Sequence, residues 1–145
     1  MRSKFTNTVR VIWLAITLAM ASVFVPQTVM ARACVAGSSA ACPIRISLLR
    51  GTYGTTVHGR LTQAPQQKFY AFRALAGQYM TIAFAGAGAM RGGINFPGSS
   101  GDGPFNGDGV TIALPTNGDY IIYVGQNTMV GEIWTGGYSL GVMVR

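Results

Sequence analysis

The side chains able to carry out acid–base or nucleophilic chemistry are few and scattered along this chain. The sequence contains one histidine, His58, and four acidic residues, three of which stand in glycine-flanked turns. A Ser–His–acid triad would need His58 to meet Ser99 or Ser100 and an aspartate, and nothing in the spacing demands that meeting. A carboxylate pair for glycoside hydrolysis would have to come from the same four acids. We therefore predict that the protein is not an enzyme.

Ligands for a metal ion are equally sparse. Asp102 and Asp108, with Asn106 between them, supply oxygen atoms of the kind that calcium prefers, but the spacing does not match an EF-hand loop. Turn formation explains these residues more simply. Two cysteines and one distant histidine do not make a zinc ligand set. We expect no metal ion and no cofactor.

The N-terminal residues have the three-part pattern of an export signal. The first ten residues include three basic residues, residues 11–25 carry no charge, and Ala31 and Ala33 are the small residues that a signal peptidase requires. The uncharged run is shorter than the roughly 20 residues that span a bilayer as a helix. The pattern predicts a cleaved signal peptide at residues 1–33, a periplasmic or secreted protein, and no membrane span after cleavage.

Cleavage after Ala33 would leave 112 residues that begin at Cys34. In an oxidising compartment we expect Cys34 to pair with Cys42 within an N-terminal segment, residues 34–43. The alternative is lipidation of Cys34, but the preceding Ala-Arg-Ala fits a lipidation site poorly. These 112 residues contain seven basic and four acidic residues, a net charge of +3. The charges are too scattered for a nucleic-acid footprint.

From residue 44 onward, apolar side chains recur at every second position. The alternation covers residues 44–48, 55–61, 68–74, 78–85, 110–114, 120–124 and 138–144, and a short strand near residues 90–96 fits as well. A period of two is typical of strands with one buried face. It places His58 towards solvent, and we expect Tyr70, Tyr79 and Tyr123 on the outer sheet surfaces. The spacing predicts one domain, residues 44–145, folded as an antiparallel β-sandwich of about eight strands.

Two stretches without a clear strand pattern are the candidate binding loops, because loops on a rigid sheet often carry binding residues. Residues 86–109 are glycine-rich. They form either a loosely ordered surface linker or a loop whose backbone amides enter a narrow cleft. The side chains in this stretch that we assign to partner binding are Arg91, Asn95, Phe96, Ser99, Ser100 and Asp102.

The second stretch, residues 125–137, joins the last two strands. Met129, Val130, Ile133 and Trp134 are four large apolar side chains among polar neighbours. They either fold over the end of the sandwich as a cap, which the poor solubility of an exposed Trp-Ile pair favours, or form a patch for a partner. We predict Met129, Glu132 and Trp134 as partner-binding residues, with Trp134 as the main anchor.

Four sequence blocks follow one another in a characteristic order. They are Val57-His58-Gly59-Arg60-Leu61, Lys68-Phe69-Tyr70-Ala71-Phe72, Ala76-Gly77-Gln78 with Met80-Thr81-Ile82, and Leu114-Pro115 with Gly118-Asp119-Tyr120, closed by Gly137-Tyr138-Ser139-Leu140. In this order they resemble the bacterial pre-peptidase C-terminal domain. The branch that contains the periplasmic inhibitors of goose-type lysozyme is the most similar one, and the resemblance covers residues 44–145.

The resemblance implies a single exported sandwich, without a cofactor, whose end loops plug the substrate cleft of a lysozyme. The partner would be a lysozyme or another peptidoglycan hydrolase. That branch tends to place basic residues between the last two strands, whereas residues 127–134 here contain no Arg or Lys and only one charge, Glu132. The alternative function is a carbohydrate- or cell-envelope-binding accessory module without inhibitory activity.

Overall fold

A computed structural model describes residues 33–63, 66–98, 100–107, 109–130 and 133–145, and these residues contain nine β-strands and no helix. The strands are β1 (Ile44–Ile46), β2 (Gly54–Leu61), β3 (Gln67–Ala74), β4 (Tyr79–Gly86), β5 (Met90–Asn95), β6 (Gly101–Phe105), β7 (Val110–Ala113), β8 (Gly118–Gln126) and β9 (Gly136–Val144). Within the described ranges there is accordingly no helix long and apolar enough to cross a membrane. The predicted signal peptide lies outside these ranges except for its last residue, Ala33.

The described strands form two sheets that enclose one apolar core. One sheet has the strand order β1-β3-β8-β5-β6 and the other has the order β2-β9-β4-β7. This arrangement confirms the predicted all-β sandwich. The pairing is antiparallel except at one edge, where β1 runs parallel to β3 with Ile44 opposite Tyr70. The sequence pattern did not reveal this parallel pair, because β1 and β3 are separated along the chain by a strand of the other sheet.

The core consists of the inward-facing positions of both sheets. Ile122 and Val124 of β8 and Leu140 of β9 have no exposed surface. Burial of one such aliphatic side chain stabilises the fold by about 2 kcal/mol. Further buried members of the same cluster are Ile46, Leu61, Phe72, Met80, Ile82, Phe84, Met90, Ile94, Ile112, Leu114, Tyr120, Val142 and Val144.

The turn between β3 and β4 shows how local chemistry ends a strand. Gly77 has a φ of +81°, a left-handed conformation that residues with a Cβ rarely adopt. Its N–H donates to the carbonyl oxygen of Leu114 at 2.9 Å. The Gln78 side chain accepts a hydrogen bond from the N–H of Leu75 at 2.8 Å. The Ala-Gly turn predicted from the sequence is therefore present.

The described part of the glycine-rich stretch, residues 86–98, 100–107 and 109, is not a loosely ordered linker, and this alternative was wrong. It contains β5 and β6, which pair antiparallel with each other, and β5 also pairs with β8. A Cβ on Gly92 would collide with the ring of Phe84 and with the carbonyl oxygen of Tyr123. The side chain of Tyr123 lies against Gly93. Gly92 and Gly93 therefore allow the aromatic side chains to pack closely against the backbone. Composition alone does not distinguish this role of glycine from backbone flexibility.

One of the three tyrosines expected on the outer surfaces is buried. Tyr70 is 2% exposed, and its hydroxyl oxygen lies 2.5 Å from that of Tyr138. Tyr123 stays on the outer side of its sheet beside Phe69, with 6.5 Å between the ring centroids, and Tyr79 is exposed. The prediction for Tyr70 failed because a hydroxyl partner on the opposite sheet satisfies its polar atom, which makes burial acceptable.

The predicted disulfide is present. Cys34 and Cys42 are bonded, with 5.6 Å between their Cα atoms. The short loop that they close lies against β3, since the N–H of Phe69 donates to the carbonyl oxygen of Gly37 at 3.1 Å. The segment before β1 is thus fixed to the same sheet that β1 extends.

Candidate partner-binding site at the loop end

The connections between strands gather at two opposite ends of the sandwich. The described residues 62–63, 66, 87–89, 106–107, 109, 127–130 and 133–135 lie at one end, which we call the loop end. The described residues 47–53, 75–78, 96–98, 100 and 114–117 lie at the other, which we call the turn end. Each of the four loop-end connections crosses from one sheet to the other, so the loop end covers one mouth of the core.

Gln126, the last residue of β8, ties two loop-end connections together. Its side-chain Oε1 accepts a hydrogen bond from the N–H of Gln66 at 2.7 Å. Its Nε2 donates to the carbonyl oxygens of Gln63 at 2.8 Å and Trp134 at 2.7 Å. The residue is 8% exposed. One buried amide therefore holds the β2–β3 and β8–β9 connections at fixed positions, because buried polar groups that are fully satisfied rigidify their surroundings.

The structural role of Gln126 was not among the predictions from the sequence. A signal was available, because Gln126 continues the inward phase of Tyr120, Ile122 and Val124 by two residues. A polar side chain in a buried strand position needs hydrogen-bond partners. The partners come from segments about 60 residues away and from the following loop, and a single sequence does not identify them.

Trp134 closes the end of the core. Its indole ring is half-buried, packs against the core cluster and donates from Nε1 to the carbonyl oxygen of Ala89 at 2.8 Å. Gly88 lies directly under the ring, where a Cβ would collide with the indole. The same Ala89 carbonyl also accepts from the N–H of Asn127 at 2.9 Å. Trp134 is thus the cap that the sequence suggested, and it fixes the far end of the β8–β9 loop.

The other three apolar residues of this loop do not cap the core. Met129, Val130 and Ile133 are 78%, 61% and 59% exposed. For them the cap was the wrong alternative. Gln126 and Trp134 hold the two ends of the loop against the sandwich, whereas Met129, Val130 and Ile133 stand away from the core. We call Met129, Val130 and Ile133 the apolar patch.

Arg91 of β5 lies beside the apolar patch. Its Nη1 is 3.1 Å from the sulfur atom of Met129. A pocket of about 270 Å³ on the five-stranded sheet is lined by Arg91, Gln67, Pro104, Tyr123 and Thr128. A groove of about 330 Å³ on the other side of the loop is lined by residues that include Val130 and Asn106. The patch is therefore flanked by two depressions, one of which carries a positive charge.

The other predicted binding residues that the structure describes, Asn95, Phe96, Ser100 and Asp102, lie in the β5–β6 hairpin, towards the turn end. Asn95 ends β5, about 13 Å along the strand from Arg91 at the usual rise per residue. Phe96 packs edge-on against Tyr120, with 5.7 Å between the ring centroids. Ser100 is exposed in the β5–β6 turn. The structure thus brings Arg91, Met129 and Trp134 together and separates them from the residues of the β5–β6 hairpin.

Asp102 also belongs to that hairpin. Its carboxylate is exposed and accepts a hydrogen bond from the N–H of Gly103 at 2.8 Å. Two predicted binding residues, Ser99 and Glu132, fall outside the described residues, as does Asp108.

Among the described residues, the titratable groups that form an ion pair contribute to the structure. Asp119 and Arg45 form a two-point ion pair at 2.7 and 3.0 Å. The hydrogen bond from the Arg45 guanidinium lowers the pKa of Asp119. His58 is exposed on β2, as predicted, and Ser100 lies in the turn between β5 and β6, two strands of the other sheet. Within the described ranges no three His, Cys, Asp or Glu side chains are grouped as a metal site would require.

These features define a two-sheet sandwich with an apolar loop surface at one end. No protein-family model and no curated protein matches the sequence. Among solved structures, the fold is similar to that of a periplasmic inhibitor of g-type lysozyme from Aeromonas hydrophila. The two are 25% identical with a TM-score of 0.62, and the match covers 70% of this chain and 95% of that one.

Two further structures extend this likeness. The corresponding inhibitor from Salmonella Typhimurium is 18% identical with a TM-score of 0.57 and matches over 70% of this chain and 96% of its own. A pre-peptidase C-terminal domain of a Bacillus anthracis collagenase is 17% identical with a TM-score of 0.47, over 70% and 93%. The likeness to the Aeromonas hydrophila inhibitor confirms the resemblance that the sequence blocks indicate. The inhibitors among these neighbours are binding proteins rather than enzymes.

Proposed function

We propose that this chain is an exported, non-catalytic protein that blocks the substrate cleft of a lysozyme, or of another peptidoglycan hydrolase, with its loop end. The observation that carries the proposal is the likeness to the Aeromonas hydrophila protein over 95% of that chain. That protein is a periplasmic inhibitor of g-type lysozyme. The Cys34–Cys42 disulfide supports export, because disulfides persist mainly in oxidising compartments.

The apolar patch supports the loop end as the contact surface. Contiguous exposed apolar side chains often mark a protein-binding site. Gln126 and Trp134 fix both ends of the loop that displays the patch. A preorganised loop loses little conformational entropy when it binds, which favours affinity.

Arg91 provides, from a neighbouring strand, the positive charge that the β8–β9 loop itself lacks. It stands on β5 but reaches Met129 of that loop. Glycoside hydrolases commonly carry carboxylates in the substrate cleft. In our proposal the Arg91 guanidinium faces such a carboxylate, while the apolar patch packs against the cleft wall.

The test is a lysis assay with a g-type lysozyme, cell-wall suspensions and purified residues 34–145. We expect the protein to slow lysis. Met129→Ser and Ile133→Ser should each weaken inhibition by about tenfold, which corresponds to roughly 1.4 kcal/mol of binding free energy.

The turn end supplies matched controls. Leu49 is 79% exposed and Leu75 is 59% exposed, close to the 78% of Met129 and the 59% of Ile133. Leu49→Ser and Leu75→Ser should leave inhibition unchanged. Equal losses in both pairs would contradict a loop-end contact. Absence of inhibition of any lysozyme at micromolar protein would refute the proposal, and sedimentation with peptidoglycan alone would favour the accessory-module alternative.

A further inference from the structure

A separate groove lies on the flank of the sandwich, away from the apolar patch. It runs between β2 of one sheet and β1 and β3 of the other, with a volume of about 450 Å³. This volume falls within the range of small-ligand sites. Its lining includes Ile44, Val57, Arg60, Lys68, Tyr70 and Tyr138.

The base of this flank groove contains two tyrosine hydroxyls. Tyr70 and Tyr138 are 2% and 4% exposed, and their oxygen atoms are 2.5 Å apart. Gly59 makes room for the pair, because a Cβ there would overlap the hydroxyl end of Tyr138. A strand residue with any side chain at this position would fill the space that the hydroxyls occupy.

The hydroxyl pair has one hydrogen to spare. Two phenols carry two hydrogens, and the bond between them uses one. Among the described residues no acceptor receives the other. Burial and the neighbouring hydroxyl raise the pKa of Tyr138, and burial raises that of Tyr70, so both hydrogens are present at neutral pH. The groove therefore offers an O–H donor that lacks a protein acceptor.

The sides of the flank groove are basic. Arg60, Lys68 and His58 line it, and none of its described lining residues is acidic. In the part of the chain that the structure describes, the ion pair is that of Arg45 with Asp119, and Arg60 and Lys68 take no part in one. A cleft lined by one sign of charge raises the local concentration of the opposite ion.

We propose that the flank groove binds a small oxyanion, a carboxylate or a phosphate group, through the charges of Lys68 and Arg60 and the free tyrosine hydroxyl. An anionic oxygen accepts hydrogen bonds from all three groups, and such charge-assisted bonds are the stronger ones. The site uses a different surface from the apolar patch, and it does not depend on the proposed inhibition of a lysozyme.

The test is a titration of purified residues 34–145 with inorganic phosphate and, separately, with citrate, followed by NMR and calorimetry at constant ionic strength with chloride as the reference. We expect saturable binding of at least one anion at millimolar concentration, with amide shifts at Gly59 and Lys68. The anion that binds more tightly distinguishes a phosphate source from a carboxylate source.

Two double variants locate the site. Arg60→Gln/Lys68→Gln should reduce affinity by about tenfold or more. Tyr70→Phe/Tyr138→Phe removes both hydroxyls and should reduce affinity about threefold to tenfold. This change should preserve folding, because replacing both partners of a hydrogen bond by apolar groups of the same shape is nearly neutral.

The matched control removes two exposed arginines elsewhere, Arg73→Gln/Arg145→Gln, and should change affinity less than about twofold. No saturable binding of either anion would overturn the proposal. So would full binding by the Arg60/Lys68 variant, or an equal loss in the control, which would indicate general charge attraction. Lysozyme inhibition measured on the same variants should be unchanged, which keeps the two proposals distinguishable.

Discussion

The turn end and the loop end close the same sandwich by different means. At the turn end, backbone groups bond one another: the N–H of Gly77 donates to the carbonyl oxygen of Leu114 at 2.9 Å, and the N–H of Leu114 donates to that of Gln78 at 2.9 Å. The side chains of Gln78 and Asn117 each add one bond from a backbone N–H there. At the loop end, two side chains make the decisive bonds, from Gln126 to two connections and from Trp134 to Ala89.

This difference has a consequence for function. Turns closed by backbone bonds are short and accept many side chains, so they are robust but display little surface. A loop held by side chains at its two ends can be longer and can expose apolar residues such as Met129 without loss of order. Its order then depends on a few residues, and replacing them should disturb the loop end far more than equivalent changes disturb the turn end.

The largest effect should come from Gln126→Leu. This change leaves the N–H of Gln66 and the carbonyls of Gln63 and Trp134 without their partner, and we expect a loss of about 3 kcal/mol in the free energy of unfolding. Urea denaturation measures the change. The turn-end control is Asn117→Ala, which removes one exposed bond to the N–H of Ala76 and should cost about 0.5–1 kcal/mol. Similar losses of unfolding free energy in the two variants would contradict the difference between the loop end and the turn end.

Trp134→Ala should have the next largest effect. The half-buried indole packs on the core and bonds Ala89, so we expect a loss of about 2 kcal/mol, below the range for a fully buried tryptophan. Ile133→Ser, one residue away but exposed, should change stability by less than about 0.5 kcal/mol. Thermal unfolding of the two variants distinguishes Trp134, which anchors the loop to the core, from Ile133, which is exposed on the loop. A stable Trp134→Ala variant that loses only partner binding would show that the indole contacts the partner directly.

The smallest effect concerns the ion pair between Arg45 and Asp119 and depends on pH. Because Arg45 lowers the pKa of Asp119 in the folded protein, the pair contributes stability above the ordinary aspartate pKa of about 3.9, and this contribution is lost as the pH falls through the folded-state pKa. Asp119→Asn should be slightly less stable than the parent at pH 7, and this difference should vanish in strong acid. Both residues are largely solvent-exposed, so added salt should also shrink it. A difference that grew in acid would contradict the pairing.

Much of the fold could be predicted from the sequence because alternation and turn chemistry are local signals. The strands around Val57, Ile82 and Leu140, the Ala-Gly turn and the Cys34–Cys42 pair all follow from patterns a few residues long. The β5–β6 hairpin was harder to predict, since its glycines serve the packing of Phe84 and Tyr123. Packing of that kind involves residues distant in sequence.

The residues proposed for partner binding remain a prediction, and the structure shows only how they are arranged. The sequence singled out Arg91, Met129 and Trp134, but it also grouped them with Asn95 and Phe96, which the antiparallel register of β5 and β8 directs to the opposite end. Position along a strand decides which end a residue occupies, and that position depends on where each strand starts.

The sequence by itself determined the all-β class, the inward and outward faces of most strands, and the residue types available for binding, since a period of two and turn-forming residues act over short distances. Only the tertiary structure decided that Gln126 joins two connections, that Trp134 caps the core while Met129 is displayed, and that the hydroxyls of Tyr70 and Tyr138 meet. Those contacts join positions remote in the chain, and their geometry is set by how the two sheets pack against each other.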